Sequence, residues 1–207
     1  MMRKESPTRT KNRKAIVEVA EKLFLENGIG HTTMMEIAEI AQVGRKTIYS
    51  YFESKELIAK YVFDQYMDKI YQTLKSNVDF SGCQNNYEKI RVLFKHFLKT
   101  LLSLKSETVF TVHYDYYTQC QSKATYMLDT IGDADFSDIL TDILSVDDGS
   151  IDLNGNEPLK LIQFAGQSYM TFVSRMFFKG HRSTENKALD ERHLHDFLDI
   201  IMRGLKK

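Results

Sequence analysis

The sequence predicts an all-α fold, and three observations carry that prediction. Only two prolines, Pro7 and Pro158, interrupt 207 residues, so long helices are permitted almost everywhere. Apolar residues recur at three- and four-residue spacing in one stretch after another, the period of a helix with one buried face. No stretch sustains the apolar–polar alternation of a half-buried strand. The expected architecture is a small N-terminal three-helix head followed by a larger helical body, about nine helices in all.

Taken in order, residues 1–11 form a basic arm expected to be disordered, with Arg3, Lys4, Arg9 and Lys11 against Glu5 alone. A first helix is expected over Lys11–Asn27, where Ile16, Val19, Ala20, Leu23 and Phe24 make one stripe and Asn27-Gly28 stops the helix. Thr33 and Glu36 have the spacing of a capping box, so a second helix starts there; it is short, because Val43-Gly44 breaks the pattern. A third helix spans Arg45–Tyr51. Ser54 caps a fourth that runs to about Lys75, with Leu57, Ile58, Tyr61, Val62 and Tyr66 on or near its apolar side. Further helices are expected over Asn85–Leu104, Glu107–Gln121, Lys123–Ser145 (with a break near Gly132), Pro158–Lys179 and Leu189–Gly204, and a loop over Val146–Glu157. In domain terms, residues 12–55 form the head, helix four at about 54–75 connects, and 56–207 form the body.

Charge is balanced overall, 28 basic against 28 acidic residues, but not evenly spread. Residues 1–60 hold eleven Lys/Arg and eight Asp/Glu, a net of +3, and the remainder carries −3. A basic end on a slightly acidic body suits a chain that meets an anionic polymer with one end only. Cys83 and Cys120 are isolated, which fits a reducing compartment and neither a disulfide framework nor a zinc site. There is no apolar signal core at the N-terminus. The apolar run Leu159–Phe178 is broken by Lys160, Gln163, Gln167 and Arg175, so no membrane span is expected and the location expected is the cytoplasm.

Two short helices joined by a tight turn over residues 33–52 form a helix-turn-helix pattern. In such a unit the first helix braces the second, and the second enters the major groove of DNA, where base edges present a readable code of donors and acceptors. Ala38 and Ala41 let the two helices approach. Ile48 and Phe52 would anchor the second, leaving Arg45, Lys46, Thr47, Tyr49 and Ser50 as its outer face.

The run TTMMEIAEIAQVGRKTIYSYFESKELI resembles the N-terminal signature of the TetR family of regulators. Thr33 opens helix two, Thr47-Ile48-Tyr49-Ser50-Tyr51-Phe52 forms the core of the recognition helix, and Ser54-Lys55-Glu56-Leu57 opens helix four. The match covers about residues 12–62. It implies a homodimeric DNA-binding repressor that leaves a palindromic double-stranded operator when a small-molecule effector binds. Thr33, Tyr51 and Lys55 would contact phosphates; Arg45, Lys46 and Tyr49 would face bases, and Thr47 could reach either. Arg45 is the first choice for a paired contact to guanine. Two positions depart from the family: Gln42 stands in the turn where many members have glycine, and Lys46 stands where many have a small residue. Either Gln42 takes a left-handed conformation at a cost of ~1–2 kcal/mol, or Val43-Gly44 shifts the turn.

In the body, Phe110, His113, Tyr114 and Tyr117 fall at i, i+3, i+4, i+7 and share a face. With Phe164 and Phe172 they are candidates for a ligand pocket, although an aromatic stripe also serves as plain core. Leu161 and Ala165 on one late helix, with Phe197, Leu198 and Ile201 on the last, are candidates for the dimer interface that the resemblance implies. A body that docks a protein partner, or a regulator acting as an activator, is the alternative. No catalytic constellation, metal site or cofactor is expected. His193 and His195 point to different sides of their helix. Asp152-x-Asn154-x-Asn156 hints at a calcium loop, but Glu157 and Gln163 stand where that loop needs glycine and glutamate.

Overall fold

The computed structural model describes residues 7–120, 135–151, 157, 160 and 191–207. These form eight helices: α1 (Pro7–Asn27), α2 (Met34–Ile40), α3 (Arg45–Tyr51), α4 (Lys55–Asn77), α5 (Asn86–Ser103), α6 (Lys105–Cys120), α7 (Asp135–Ile143) and α8 (Glu191–Leu205). No strand forms among them; Ile151 and Lys206 share one isolated antiparallel bridge. The expected helix over Pro158–Lys179 apart from Lys160, residues 152–156 of the expected loop with its calcium-like spacing, and the first part of the Lys123–Ser145 helix lie outside the described residues.

The chain divides into two compact units. One takes residues up to Asp68 together with Ser106–Ala124; the other takes Lys69–Lys105 and Thr125 onward. In the first, α1 begins at Pro7, earlier than the disordered arm expected over 1–11 allows. Proline suits a first helical position, since its φ is already helical and the missing N–H would have had no partner there. The buried stripe of α1 is Ile16, Val17, Ala20 and Phe24; Val19 and Leu23 are only half-buried. Gly28 ends the helix at φ +83, where a side chain would be strained. Its amide donates to Phe24 O at 3.0 Å, and the fully buried Thr32 returns its hydroxyl to Gly28 O at 3.0 Å.

The placement of α6 is the main departure from the expected division at residue 55. Phe110, 1% exposed, lies 6.3 Å from the Phe24 ring of α1 and 5.5 Å edge-on from Tyr66 of α4. Tyr114 stacks on Phe63 at 4.5 Å. The Tyr117 hydroxyl donates to Glu56 at 3.0 Å. These contacts give the head a fourth wall that periodicity alone did not reveal. They also place three of the four aromatic-stripe residues against α1 and α4.

In the second unit, α5 packs against α7 and α8. Its buried residues include Ile90, Leu93, Phe94, Phe97, Leu98 and Leu101, the full expected stripe. Asn85 caps it by accepting from Glu88 N at 2.9 Å. The 146–150 loop adds a second cap: Asp148 accepts from Asn86 N at 2.6 Å, Asn86 donates to Val146 O at 2.6 Å, and Tyr87 N donates to Ser150 Oγ at 3.1 Å. Contacts with Ser150 come first in holding the Asp148 carboxyl below its ordinary range, with the Asn86 amide adding to them. Arg91 pairs with Asp199 of α8 at 3.0 Å.

Candidate nucleic-acid interface

Helix α2 starts where the sequence places it. Thr33 Oγ1 accepts from Glu36 N at 3.2 Å and donates to Glu36 Oε2 at 2.8 Å, while Thr33 N donates to the same carboxylate at 2.7 Å. The Thr33 hydroxyl and amide together hold Glu36 below the usual carboxylate range. Ile37 and Ala38 are buried under the helix.

The turn that follows is a six-residue helix end with a left-handed residue. Gln42 N donates to Glu39 O at 3.1 Å and Val43 N donates to Ala38 O at 3.0 Å, the paired bonds of a Schellman cap. Gln42, at φ +54, occupies the left-handed position, the only non-glycine residue to do so among the described residues. The two options left open by the sequence are thereby decided: the turn is not shifted. Gly44 is extended, φ −65 and ψ 150, and opens α3 as its N-cap. Its role is closeness, since a Cβ there would meet Thr47 Oγ1 at 3.3 Å.

Helix α3 hangs on Ile48, 0% exposed, and on Phe52 just past its end. With those positions turned inward, Arg45, Lys46, Tyr49 and Ser50 are exposed, and Thr47 and Tyr51 are half-buried. Tyr49 is 45% exposed. Arg45, Lys46 and Tyr49 stand at i, i+1 and i+4, so all three lie on the outward side of α3. Ser50 turns its hydroxyl back to Thr47 O at 2.6 Å.

Lys55 has a structural task that the sequence did not disclose. Its ammonium donates to Gly30 O at 2.9 Å and to Thr32 O at 2.8 Å, tying the start of α4 to the α1–α2 loop. Next to it, burial pushes the Glu56 carboxyl up. Its own amide, the Ser54 and Tyr117 hydroxyls and Lys55 outweigh that push and leave it lowered. Arg9, which the sequence assigns to the basic arm, and Arg13 both stand on α1. The Arg13 guanidinium lies 4.8 Å from the Tyr61 ring and 5.8 Å from the Phe52 ring, and the Arg9 guanidinium lies 5.5 Å from the Tyr51 ring. The signal was the i, i+4 spacing of the two arginines, which a disordered arm would have hidden.

Of the remaining candidates, Phe110, Tyr114 and Tyr117 stand on α6 as described, and His113 is half-buried on the same helix. Leu198 is buried on α8, while Phe197 and Ile201 are half-buried and Ile200 is 64% exposed. Leu161, Phe164, Ala165 and Phe172 lie outside the described residues. Among the described residues no group of three or more His, Cys, Asp or Glu is placed to hold a metal. No helix there is long and apolar enough to cross a membrane.

Comparison with known proteins agrees with this geometry. Residues 16–62 match the family model described as bacterial regulatory proteins, tetR family. An HTH-type transcriptional regulator of Staphylococcus aureus (strain USA300) is 30% identical over 105 residues, 51% of this chain and 54% of that protein. The chain thus spans about half the length of the curated relatives it matches. Among solved structures, NalD of Pseudomonas aeruginosa, a secondary repressor of the MexAB-OprM multidrug efflux pump, superposes with a TM-score of 0.67 at 18% identity, covering 98% of this chain and 99% of that one. A TetR-family regulator from Shewanella sp. PV-4 gives 0.63 at 16% identity, covering 95% and 98%. At such identities the likeness concerns the fold, and it extends through the body as well as the head. Residues 16–62 are thus similar to the helix-turn-helix head of the tetR family of bacterial regulatory proteins.

Proposed function

We propose that the protein is a homodimeric, sequence-specific regulator of transcription that represses from a palindromic operator in the cytoplasm and is released by a small-molecule effector. One observation carries the DNA-binding core of this reading: α3 buries Ile48 and presents Arg45, Lys46 and Tyr49 outward, the division a helix needs to enter the major groove. Arg45 and Lys46 would read base edges. Thr33, Tyr51 and Lys55 would approach phosphates, fixing register without choosing sequence.

Reading a palindrome needs a two-fold pair of heads with half-sites ~34–36 Å apart or a multiple of that. The outer side of α8, with Phe197, Ile200 and Ile201, is the described part of the surface that would meet a second copy; Leu161 and Ala165 would add to it. For release, an effector held near His113 would move α6. Phe110, Tyr114 and Tyr117 would carry that movement to α1 and α4. Coupling of ~1–3 kcal/mol is the usual range, and DNA would weaken the effector by the same factor. NalD's role as a repressor is consistent with the sign of regulation proposed.

Selection of bound DNA from a random pool tests the proposal. A palindrome is expected, and Arg45→Ala should relax the preference at one base pair per half-site by ~1–3 kcal/mol. Recovery of unrelated sequences, or a preference untouched by Arg45→Ala, would refute the assignment of α3.

A further inference from the structure

The exposed side of α3 continues at Tyr51 onto the first turns of α1, where Arg9 lies over the Tyr51 ring. The geometry points to Arg9, held against the Tyr51 ring, as a DNA-phosphate contact outside the helix-turn-helix. This inference rests on the DNA-binding reading above and adds a binding residue to it.

Three observations support it. First, α1 docks on the end of the recognition helix through two successive guanidinium–ring contacts: Arg13 on Phe52 and Tyr61, then Arg9 on Tyr51. The inner contact is half-buried and serves as a brace. Arg9 is exposed, at the margin of the surface that carries Tyr51 and Tyr49. Second, stacking engages the flat face of a guanidinium, whereas its five N–H donors lie in its plane, the geometry that pairs with phosphate oxygens. A ring beneath it fixes that plane, which reduces the side-chain freedom lost when an anion is met. Third, the local charge is one-sided. Arg9, Lys11, Arg13 and Lys14 precede the first acid of α1, Glu18, and the first turn holds no acidic residue. Cations are disfavoured near a helix N-terminus by the peptide dipoles, and an outside anion would offset that cost.

Continuity with α3 selects the occupant. Tyr51 is the last residue of the recognition helix, so an anion reaching Arg9 while α3 lies in a groove belongs to the backbone flanking that groove. The contact is therefore blind to sequence and sensitive to salt.

The test uses full-length protein and a duplex carrying the selected sequence, with affinity measured by fluorescence anisotropy across 50–200 mM salt. Arg9→Ala should weaken binding roughly tenfold at 0.1 M salt and lower the slope of log K against log salt by about 0.9 per head. Relative preference among operator variants should stay unchanged. Arg9→Lys should restore the slope but only part of the affinity. Tyr51→Phe should keep the Arg9 contribution and Tyr51→Leu should abolish it, so Arg9→Ala should cost little further on the Tyr51→Leu background. An unchanged slope in an Arg9→Ala protein that melts like the wild type would overturn the inference. Full additivity of Arg9→Ala and Tyr51→Leu would overturn the ring's part in it. Failure of the wild-type protein to select any sequence is a separate result, and it would remove the DNA-binding reading itself.

Discussion

Replacing Gln42 by glycine should stabilise the protein, contrary to the usual cost of adding glycine. Gln42 sits at φ +54 in the turn between α2 and α3, with its amide and that of Val43 committed to Glu39 O and Ala38 O. The turn cannot relax without losing both bonds. A left-handed non-glycine residue carries roughly 1–2 kcal/mol of strain from its Cβ. Glycine removes that strain but loses about 0.5–1 kcal/mol through its freer unfolded chain. The difference is a net gain of about 0.5–1 kcal/mol, equivalent to roughly 1–4 °C in melting temperature for a chain of this size. Circular dichroism at 222 nm without DNA measures it, and amide exchange at Gln42 and Val43 should slow in parallel. Gln42→Ala is the control, since alanine keeps the Cβ and should give no gain. A glycine variant no more stable than wild type, or an alanine variant equally stabilised, would refute the reasoning.

Three further perturbations separate the parts of the molecule. Lys55→Met keeps the chain length but leaves Gly30 O and Thr32 O without their cation; melting of the DNA-free protein should drop by about 1–2 kcal/mol, and an unchanged melt would mean the two bonds contribute nothing to the fold. Phe110→Ala opens a hole between Phe24 and Tyr66 and should cost about 3–5 kcal/mol in chemical denaturation; a loss under 1 kcal/mol would show that α6 is not part of the head's core. For Asp148 the folded carboxyl is lowered from its ordinary 3.8, by Ser150 first. Its contribution is therefore present above pH 3.8 and fades as pH falls through the lowered value. Asp148→Asn should narrow the difference in melting temperature between pH 7 and about pH 3, and an unaltered difference would count against that linkage.

The head was legible in the sequence where local chemistry decides structure. The Thr33–Glu36 cap, the Arg45–Tyr51 helix and the Ile48 anchor all follow from residues within a few positions of one another. Long-range partners were not legible. Phe110, Tyr114 and Tyr117 announce a shared face by spacing, yet spacing does not say whether that face meets a ligand or α1 and α4. Lys55 looks like a surface cation beside a helix start, and its two carbonyl acceptors lie 25 and 23 residues away. The start of α1 was misjudged for a different reason. A basic, polar stretch has the composition of a tail, and spacing alone did not show that the rings of Tyr51, Phe52 and Tyr61 give Arg9 and Arg13 a place to lie.

These placements imply an asymmetry between the two classes of DNA contact. The proposed base readers Arg45, Lys46 and Tyr49 are exposed and stand apart from the buried face of α3. The proposed phosphate contacts are also parts of the scaffold: Thr33 is the cap of α2, Lys55 ties two loop carbonyls, and Tyr51 supports Arg9. Lys55 has three N–H donors, and two carbonyls already engage them, so a phosphate would join an existing cluster instead of meeting a loose cation. Such a cluster is ordered before DNA arrives, which lowers the entropy lost on binding. On the proposed roles, substitutions at Arg45 or Lys46 would change operator preference with little effect on folding. Weakening the backbone contacts at Thr33 or Lys55 will also loosen the head that makes them.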